Sequence, residues 1–181
     1  MKRFALIMIC TLAFAAPAFA QAVGDLSAYA DDQGSSCDIT VPGSGTLNVY
    51  LVHKFSDGGG ATGVRFKVTY PATGVILATF VGTPFSAIGS AQTDLSVGYG
   101  GCINTTTSIG YLLFSVAGAV PACSYVSLVA PDGHAEATAT DCGFTEFTIK
   151  TGQGIMNPDG SCQCNIATEP TSWGKVKALY R

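Results

Sequence analysis

Residues 63–71 read Gly63-Val64-Arg65-Phe66-Lys67-Val68-Thr69-Tyr70-Pro71, and this segment indicates the fold most clearly. From Val64 to Val68 every second side chain is apolar, and polar side chains stand between them. A period of two is typical of a β-strand that turns one face to a core and the other to water. The segment therefore predicts a strand in which Val64, Phe66 and Val68 are buried.

Eight further segments on both sides of this one have strand patterns, and turns rich in Gly, Pro, Asp and Asn separate them. These predicted strands are 26–30, placed at a sheet edge, 47–55, 75–81, 94–99, 109–116, 125–130, 135–140 and 144–150. Residues 109–116 are apolar on both faces, which predicts a central strand with Leu113 and Phe114 buried. Because no helical pattern of about ten residues lies between the strands, we expect an all-β, antiparallel, immunoglobulin-like sandwich and exclude a parallel α/β fold.

The first twenty residues have the features of a secretion signal. Lys2 and Arg3 precede an apolar run, and Ala18-Phe19-Ala20 has the small-x-small pattern of a cleavage site. The run is shorter than the about 20 residues that span a bilayer, so no membrane span is expected after cleavage. We predict a signal peptide at 1–20, one β-sandwich domain at 21–169, a tail at 170–181, and a secreted or periplasmic location.

Charge is sparse and unevenly distributed. Of 181 residues, 12% are charged and the formal net charge is −3. Residues 21–169 carry four basic and twelve acidic side chains, whereas the last seven residues carry Lys175, Lys177 and Arg181. An acidic body argues against binding to nucleic acid or to anionic membranes.

Six of the seven cysteines follow the predicted cleavage site. They are Cys37, Cys102, Cys123, Cys142, Cys162 and Cys164. An even number of cysteines in an exported chain predicts three disulfides, and a lone Cys-x-Cys does not fit a zinc site or a redox-active Cys-x-x-Cys. Fifteen pairings are possible; Cys102 with Cys123 is favoured because they flank one strand, and Cys162 and Cys164 are expected to have different partners.

The segment 63–71, with Val75 and the later Gly110-Tyr111-Leu112-Leu113-Phe114-Ser115-Val116, resembles the strand pattern of cohesin-type bacterial β-sandwiches. This resemblance covers about a third of the chain and implies the sandwich fold. Cohesins usually carry Asp between that Tyr and Pro and have few disulfides, so the resemblance does not transfer the cohesin docking surface to this chain.

A second resemblance is to a family of small exported bacterial proteins without an assigned activity. It is carried by Tyr29-Ala30-Asp31 with Gly34 and Cys37, by the segments VGYGGC at 97–102 and DGSCQC at 159–164, and by the ending TSWGKVKALYR at 171–181. It implies export and a shared sandwich, and it brings no catalytic residue or cofactor.

The residues offer little for catalysis. His53 and His134 lack a Gly-x-Ser-x-Gly nucleophile motif to accompany them. Four carboxylates are candidates for a pair that hydrolyses sugars: Asp94, Glu136, Asp141 and Glu146. Three others are candidates for a calcium site, although they do not fit a calcium-loop motif: Asp31, Asp32 and Asp38. We therefore predict no catalytic site, no metal and no cofactor.

Binding is the remaining kind of function, and two groups of aromatic residues are candidates for it. Tyr50 and Tyr99 could face outward and stack on sugars, although core packing is equally compatible with Tyr99. In the tail, Trp173, Val176 and Tyr180 recur at helical spacing, which predicts a short C-terminal helix that packs on the body or on a partner.

The sequence thus predicts an exported, non-catalytic interaction or structural module with an unidentified protein or glycan partner. A carbohydrate-binding module is the alternative, and a glycan-processing enzyme is the third possibility.

Overall fold

The computed structural model describes residues 24–55 and 59–164, and these form two β-sheets that pack face to face. The thirteen strands are β1 (Asp25–Tyr29), β2 (Asp38–Ile39), β3 (Gly45–Lys54), β4 (Ala61–Thr69), β5 (Val75–Val81), β6 (Ser86–Ser90), β7 (Asp94–Ile103), β8 (Thr107–Val116), β9 (Ser124–Val129), β10 (Thr138–Asp141), β11 (Glu146–Thr148), β12 (Lys150–Thr151) and β13 (Gln153–Met156). No described residue is helical, which confirms the all-β prediction. The described ranges accordingly contain no helix that could cross a membrane.

The first sheet has the strand order β12-β1-β3-β8-β5. The predicted central position of the strand at 109–116 is confirmed, since β8 lies between β3 and β5. The predicted edge position of the strand at 26–30 is wrong, because β12 pairs with the outer side of β1. That pairing is parallel, so the sandwich is not purely antiparallel.

The second sheet has the path β11-β10-β4-β9-β13-β2, with β7 paired to β4 and β6 paired to β7. Its pairs are antiparallel apart from β13 with β2, which is parallel. Three of its strands, β2, β6 and β13, were not predicted. They are short, and β6 is exposed along its whole length, so the sequence there lacks an alternating apolar pattern.

The core lies between the two sheets, and its burial follows the alternation along β4. Val64, Phe66 and Val68 are buried, as predicted. Phe114 is buried too, but the prediction for Leu113 is wrong: Leu112 lies in the core and Leu113 is half-buried on the outer face. Because β8 is apolar on both faces, its sequence alone could not show which set of side chains points inward.

Candidate functional site

The three predicted disulfides are present, and they join Cys37 to Cys164, Cys102 to Cys142, and Cys123 to Cys162. Cys162 and Cys164 do have different partners, as predicted. The favoured pairing of Cys102 with Cys123 is wrong.

The position of Cys102 is determined by the second sheet rather than by nearness in sequence. Ala61 of β4 is paired with Ile103 of β7 on one side and with Asp141 of β10 on the other. Cys102 precedes Ile103 and Cys142 follows Asp141, so both cysteines lie near the start of β4, where their Cα atoms are 5.1 Å apart. A Cβ atom at Gly60 would lie 2.8 Å from the Sγ of Cys142, so this close approach requires glycine.

One group of potential metal ligands occurs among the described residues. The Sγ atoms of Cys123 and Cys162 and a carboxylate oxygen of Asp159 lie within 4.8 Å of one another. The two sulfurs are bonded to each other, so neither offers the thiolate that a metal ion needs. Asp159 is also occupied locally, because Ser161 donates to its Oδ1 from both the backbone nitrogen and the hydroxyl. These hydrogen bonds lower the pKa of Asp159.

Two of the three acidic residues considered for calcium hold parts of the fold together, and the third, Asp32, is exposed and accepts a hydrogen bond from the Gln33 side chain. Asp31 accepts hydrogen bonds from the backbone nitrogens of Gln33, Ser35 and Ser36 and from the Ser35 hydroxyl. Asp38 accepts one from the Cys164 nitrogen, 2.9 Å away. Asp31 thus organises the loop after β1, and Asp38 holds the chain beside a disulfide.

Three of the four carboxylates considered for sugar hydrolysis are likewise engaged. Asp94 pairs with Arg65, and Glu136 accepts a hydrogen bond from the Thr148 hydroxyl. Asp141 accepts hydrogen bonds from the nitrogens of Gly143 and Thr145 in the turn between β10 and β11. Glu146 is exposed on β11.

His53 is completely buried, and its Nδ1 lies 2.8 Å from the hydroxyl oxygen of Tyr99. Its ring also packs on Phe55 with the centroids 4.0 Å apart. Burial raises the pKa of Tyr99 far above its ordinary value. Tyr99 is therefore a core residue, and of the two candidate outward tyrosines only Tyr50 remains on an outer face. His134 lies in an exposed turn, where its nitrogen donates to the Pro131 carbonyl.

The outer face of the second sheet has a depression whose floor is made of two glycines. Gly63 of β4 and Gly98 of β7 are direct register partners, and both lie on the side opposite the core. On either side of them, Ser86 of β6 is paired with Gly98, and Thr140 of β10 is paired with Gly63. The resulting groove has a volume of about 420 Å³. We call it the Gly63–Gly98 groove.

The two glycines have different structural roles. A Cβ atom at Gly63 would lie 2.8 Å from the Val97 carbonyl oxygen, so this glycine allows β4 and β7 to approach. At Gly98 a Cβ atom would meet nothing within 4 Å, and its φ is not in the left-handed region. The space above Gly98 is therefore open because the side chain is missing, and the backbone does not require glycine there.

Ile88, Arg65 and Glu146 line the groove, and Arg65 forms an ion pair with Asp94. Ile88 of β6 is 78% exposed, which is unusual for an isoleucine. Ile88 and Arg65 are both register partners of Ser96, so they flank the same position of β7. Arg65 binds Asp94 in a bidentate arrangement, with Nε 2.8 Å from Oδ1 and Nη2 2.5 Å from Oδ2. These hydrogen bonds lower the pKa of the Asp94 carboxyl and raise that of the guanidinium.

Sequence reasoning did not find this groove. The alternation along β4 predicted that Arg65 faces water, but β6 was not predicted, and the opposition of Gly63 and Gly98 depends on the register between β4 and β7. The predicted partner-binding residues of the tail, Trp173, Val176 and Tyr180, lie outside the described residues, as does the predicted C-terminal helix.

The sequence matches no protein-family model and no curated protein significantly. The resemblance to a family of small exported proteins therefore stays a prediction.

Solved structures with similar folds are cohesin modules. One is the cohesin module of a family 33 glycoside hydrolase from Clostridium perfringens, with 11% identity, a TM-score of 0.53, and coverage of 76% of this chain and 99% of that chain. Another is a non-cellulosomal cohesin from the archaeon Archaeoglobus fulgidus, with 13% identity, a TM-score of 0.53, and coverage of 76% and 91%.

A third is the sixth cohesin of scaffoldin B from Acetivibrio cellulolyticus, solved in complex with a mutant Cel5 dockerin. It has 17% identity, a TM-score of 0.51, and coverage of 75% of this chain and 98% of that chain. At these identities the similarity shows the fold alone. The described part of the chain is a cohesin-like β-sandwich.

Proposed function

We propose that this protein is an exported, non-catalytic interaction module that binds a protein partner through the Gly63–Gly98 groove. The observation that carries the proposal is the open floor of the groove next to the exposed side chain of Ile88. The groove lies where the sheet is irregular, because the pairing of β4 with β7 shifts between Ala61 and Gly63 and the pairing of β10 with β4 shifts between Thr140 and Asp141.

The groove has the composition of a small protein interface. A projecting side chain of a partner can enter the space above Gly98 and cover Ile88, and burial of apolar surface is what drives such contacts. Arg65 and Glu146 in the lining provide charged groups for directional hydrogen bonds once water is excluded. The ion pair of Arg65 with Asp94 is already formed without the partner, which reduces the entropy lost on binding.

The fold supports a protein partner in general terms. The cohesin of Acetivibrio cellulolyticus was solved in complex with a dockerin, so this type of sandwich can present a docking surface. The chemistry expected of the partner follows from the Gly63–Gly98 groove and not from the fold, because fold does not determine function.

Export is supported by the covalent structure. Three disulfides among the described residues are typical of proteins from an oxidising compartment. Together with the predicted signal peptide at 1–20, they favour a periplasmic or extracellular location.

The proposal is tested by filling the groove with one side chain. Gly98→Gln places a side chain in open space and should leave the fold intact. Gly101→Gln is the matched control, because Gly101 lies in the same strand, also meets nothing within 4 Å, and is not part of the groove. Each protein is immobilised and exposed to envelope and culture-medium extracts of the source cells, and the affinity of any captured protein is then measured with purified components.

We expect a protein that binds the wild type and Gly101→Gln with similar affinity and binds Gly98→Gln at least about tenfold more weakly, a difference of about 1.4 kcal/mol. A partner that binds all three proteins equally would place the interface elsewhere and contradict the proposal.

A further inference from the structure

The outer face of the first sheet differs in chemistry from the outer face of the second. Towards its middle the first of these faces is uncharged, and β3 and β8 contribute six outward side chains there: Thr46, Asn48 and Tyr50 from β3, and Tyr111, Leu113 and Ser115 from β8. We call these six residues the tyrosine face. Lys54, at the end of β3, and its register partner Asp25 lie on the same face of the sheet beyond these six, and the Nζ of Lys54 donates to the Gly34 carbonyl oxygen. The second sheet carries two ion pairs on its outer side, Arg65 with Asp94 and Lys67 with Asp132.

The tyrosine face is defined by an aromatic pair. Tyr50 and Tyr111 are direct register partners on β3 and β8, and both are half-buried. Their ring centroids are 5.9 Å apart and their planes are inclined by 54°. Tyr29 of β1 is the next residue in the same row, but it is buried and the Nζ of Lys54 lies 4.4 Å from its ring centroid. The accessible aromatic surface therefore belongs to Tyr50 and Tyr111.

Hydroxyl and amide groups surround this pair. Asn48 is exposed and is the register partner of Leu113, while Ser115 is exposed opposite Thr46. On the other side, Thr79 of β5 is exposed and pairs with Leu113. The face thus combines two aromatic rings with neutral groups that can donate and accept hydrogen bonds.

We infer that the tyrosine face binds a single chain of a neutral polysaccharide, with sugar rings placed on Tyr50 and Tyr111. A sugar ring has an apolar C–H face and a rim of hydroxyls. The aromatic rings match the former, and Asn48, Thr79 and Ser115 match the latter. The six residues are uncharged, and the Nζ of Lys54 on the same face of the sheet is already bound to the Gly34 carbonyl oxygen and packed on the Tyr29 ring. Anionic glycans would therefore lose hydration at the six residues without gaining a free cationic partner there.

The inclination of the rings restricts the form of the polysaccharide. Two coplanar tyrosines would suit the flat surface of a crystalline polymer. Rings inclined by 54° suit a separate chain in which successive sugars are rotated relative to one another. We therefore assign the face to a soluble or amorphous polysaccharide.

This inference is independent of the proposed protein-binding function. The two surfaces lie on opposite sheets of the sandwich, so a substitution on one is not expected to change binding at the other. Failure of either proposal can thus be recognised separately.

The test is affinity electrophoresis of the full-length exported protein in native gels. The gels contain galactomannan, xyloglucan, mixed-linkage β-glucan or dextran as neutral probes, and polygalacturonate as the anionic probe. The variants are Tyr50→Ala and Tyr111→Ala, with Tyr50→Phe as the conservative change. Tyr125→Ala is the matched control, because Tyr125 is 41% exposed but belongs to β9 in the second sheet.

We expect at least one neutral polysaccharide to retard the wild type. Tyr50→Ala and Tyr111→Ala should each weaken that binding at least about tenfold, which corresponds to the loss of one stacked ring. Tyr50→Phe and Tyr125→Ala should bind within about threefold of the wild type. Thermal melts of each variant identify any loss of binding that results from unfolding.

Four results would overturn the inference. They are no retardation by any neutral probe, retardation by polygalacturonate alone, equal binding by Tyr50→Ala and the wild type, and a wild-type dimer in sedimentation velocity that Tyr50→Ala and Tyr111→Ala convert to monomers. The last result would show that a second copy of the chain covers the face.

Discussion

At the scale of single residues, Phe66 and Lys67 are neighbours in β4 that lie on opposite faces of the sheet. Phe66 is completely buried, whereas Lys67 forms an ion pair with Asp132 at the surface. Phe66→Ala should lower the free energy of unfolding by about 3–5 kcal/mol, because it leaves a cavity in the core. Lys67→Ala should lower it by less than about 1 kcal/mol, as expected for a surface ion pair. Urea titrations with the disulfides intact give the free energy of unfolding of each variant. Equal losses for Phe66→Ala and Lys67→Ala would contradict the assignment of Phe66 to the core face of β4.

Asp31 should make the stability of the protein depend on pH. Burial opposes its ionisation, but the hydrogen bonds from Ser35, Ser36 and Gln33 together lower its pKa below the ordinary value of 3.8. A lowered pKa in the folded state stabilises the fold above the unfolded-state pKa, and this contribution is lost as the pH falls through the folded-state pKa. Asp31→Asn should therefore melt at a lower temperature than the wild type at pH 7, and the gap should shrink between pH 4 and pH 2.

The control for this experiment is Asp32→Asn. The Asp32 carboxylate is exposed and accepts a hydrogen bond from the Gln33 side chain, and it does not organise the loop. The melting temperature of the Asp32→Asn variant should stay close to that of the wild type across the same pH range. A constant gap between wild type and Asp31→Asn would show that the carboxylate is unimportant in its ionised form.

At the scale of elements, Asn157 joins the end of β13 to two other segments. Its Oδ1 accepts a hydrogen bond from the Val41 nitrogen, and its Nδ2 donates to the Val120 carbonyl, both at 3.0 Å. Its φ is +49°, in the left-handed region that asparagine and glycine tolerate better than other residues. Asn157→Ala should cost about 2–4 kcal/mol, from two lost hydrogen bonds and the strained backbone.

Asn157→Gly separates these two contributions. Glycine accepts the left-handed conformation, so only the hydrogen bonds are lost and the cost should be about 1 kcal/mol smaller than for alanine. Chemical denaturation of both variants gives the difference. If alanine and glycine cost the same, the backbone conformation at residue 157 does not contribute.

At the scale of the whole molecule, the disulfides connect segments that are distant in sequence. The bond between Cys37 and Cys164 closes a separation of 127 residues, and the other two close separations of 40 and 39. Each bond should contribute about 2–4 kcal/mol, chiefly by restricting the unfolded chain. Their sum is comparable with the about 5–15 kcal/mol by which whole domains are stable.

We therefore expect the exported protein, denatured without reductant, to react with no thiol reagent. Reduction should lower its melting temperature sharply or unfold it. Two or more reactive thiols per chain would contradict the three-disulfide framework.

The tail at 170–181 is the remaining prediction at this scale. The described chain ends at Cys164 beside a groove of about 500 Å³ that Tyr29, Lys54 and Ile155 help to line. We propose that Trp173, Val176 and Tyr180 cover apolar surface of the body. Truncation after Glu169 should then lower the free energy of unfolding by about 25 cal/mol for each Å² of apolar surface uncovered, and the melting temperature with it. An unchanged melting temperature with an altered cellular location would instead identify the tail as a recognition element.

Local patterns in the sequence were sufficient for much of the fold. The alternation from Val64 to Val68 predicted the strand and its buried face, and the even number of cysteines predicted three disulfides. The first inference depends on the two-residue period of a strand, which acts within a few residues. The second depends only on the number of cysteines and on the chemistry of thiols in an oxidising compartment.

The pairing of distant segments was beyond such patterns. Leu112 and Leu113 are equally apolar, and only the register of β8 against β3 and β5 directs the first into the core. Cys102 meets Cys142 because β7 and the end of β10 both reach the start of β4, and the Gly63–Gly98 groove and the pairing of Tyr50 with Tyr111 likewise depend on strand register. Each strand carries its own period of two, but its neighbours and their register result from the packing of all the strands around one core, a property that no single segment contains.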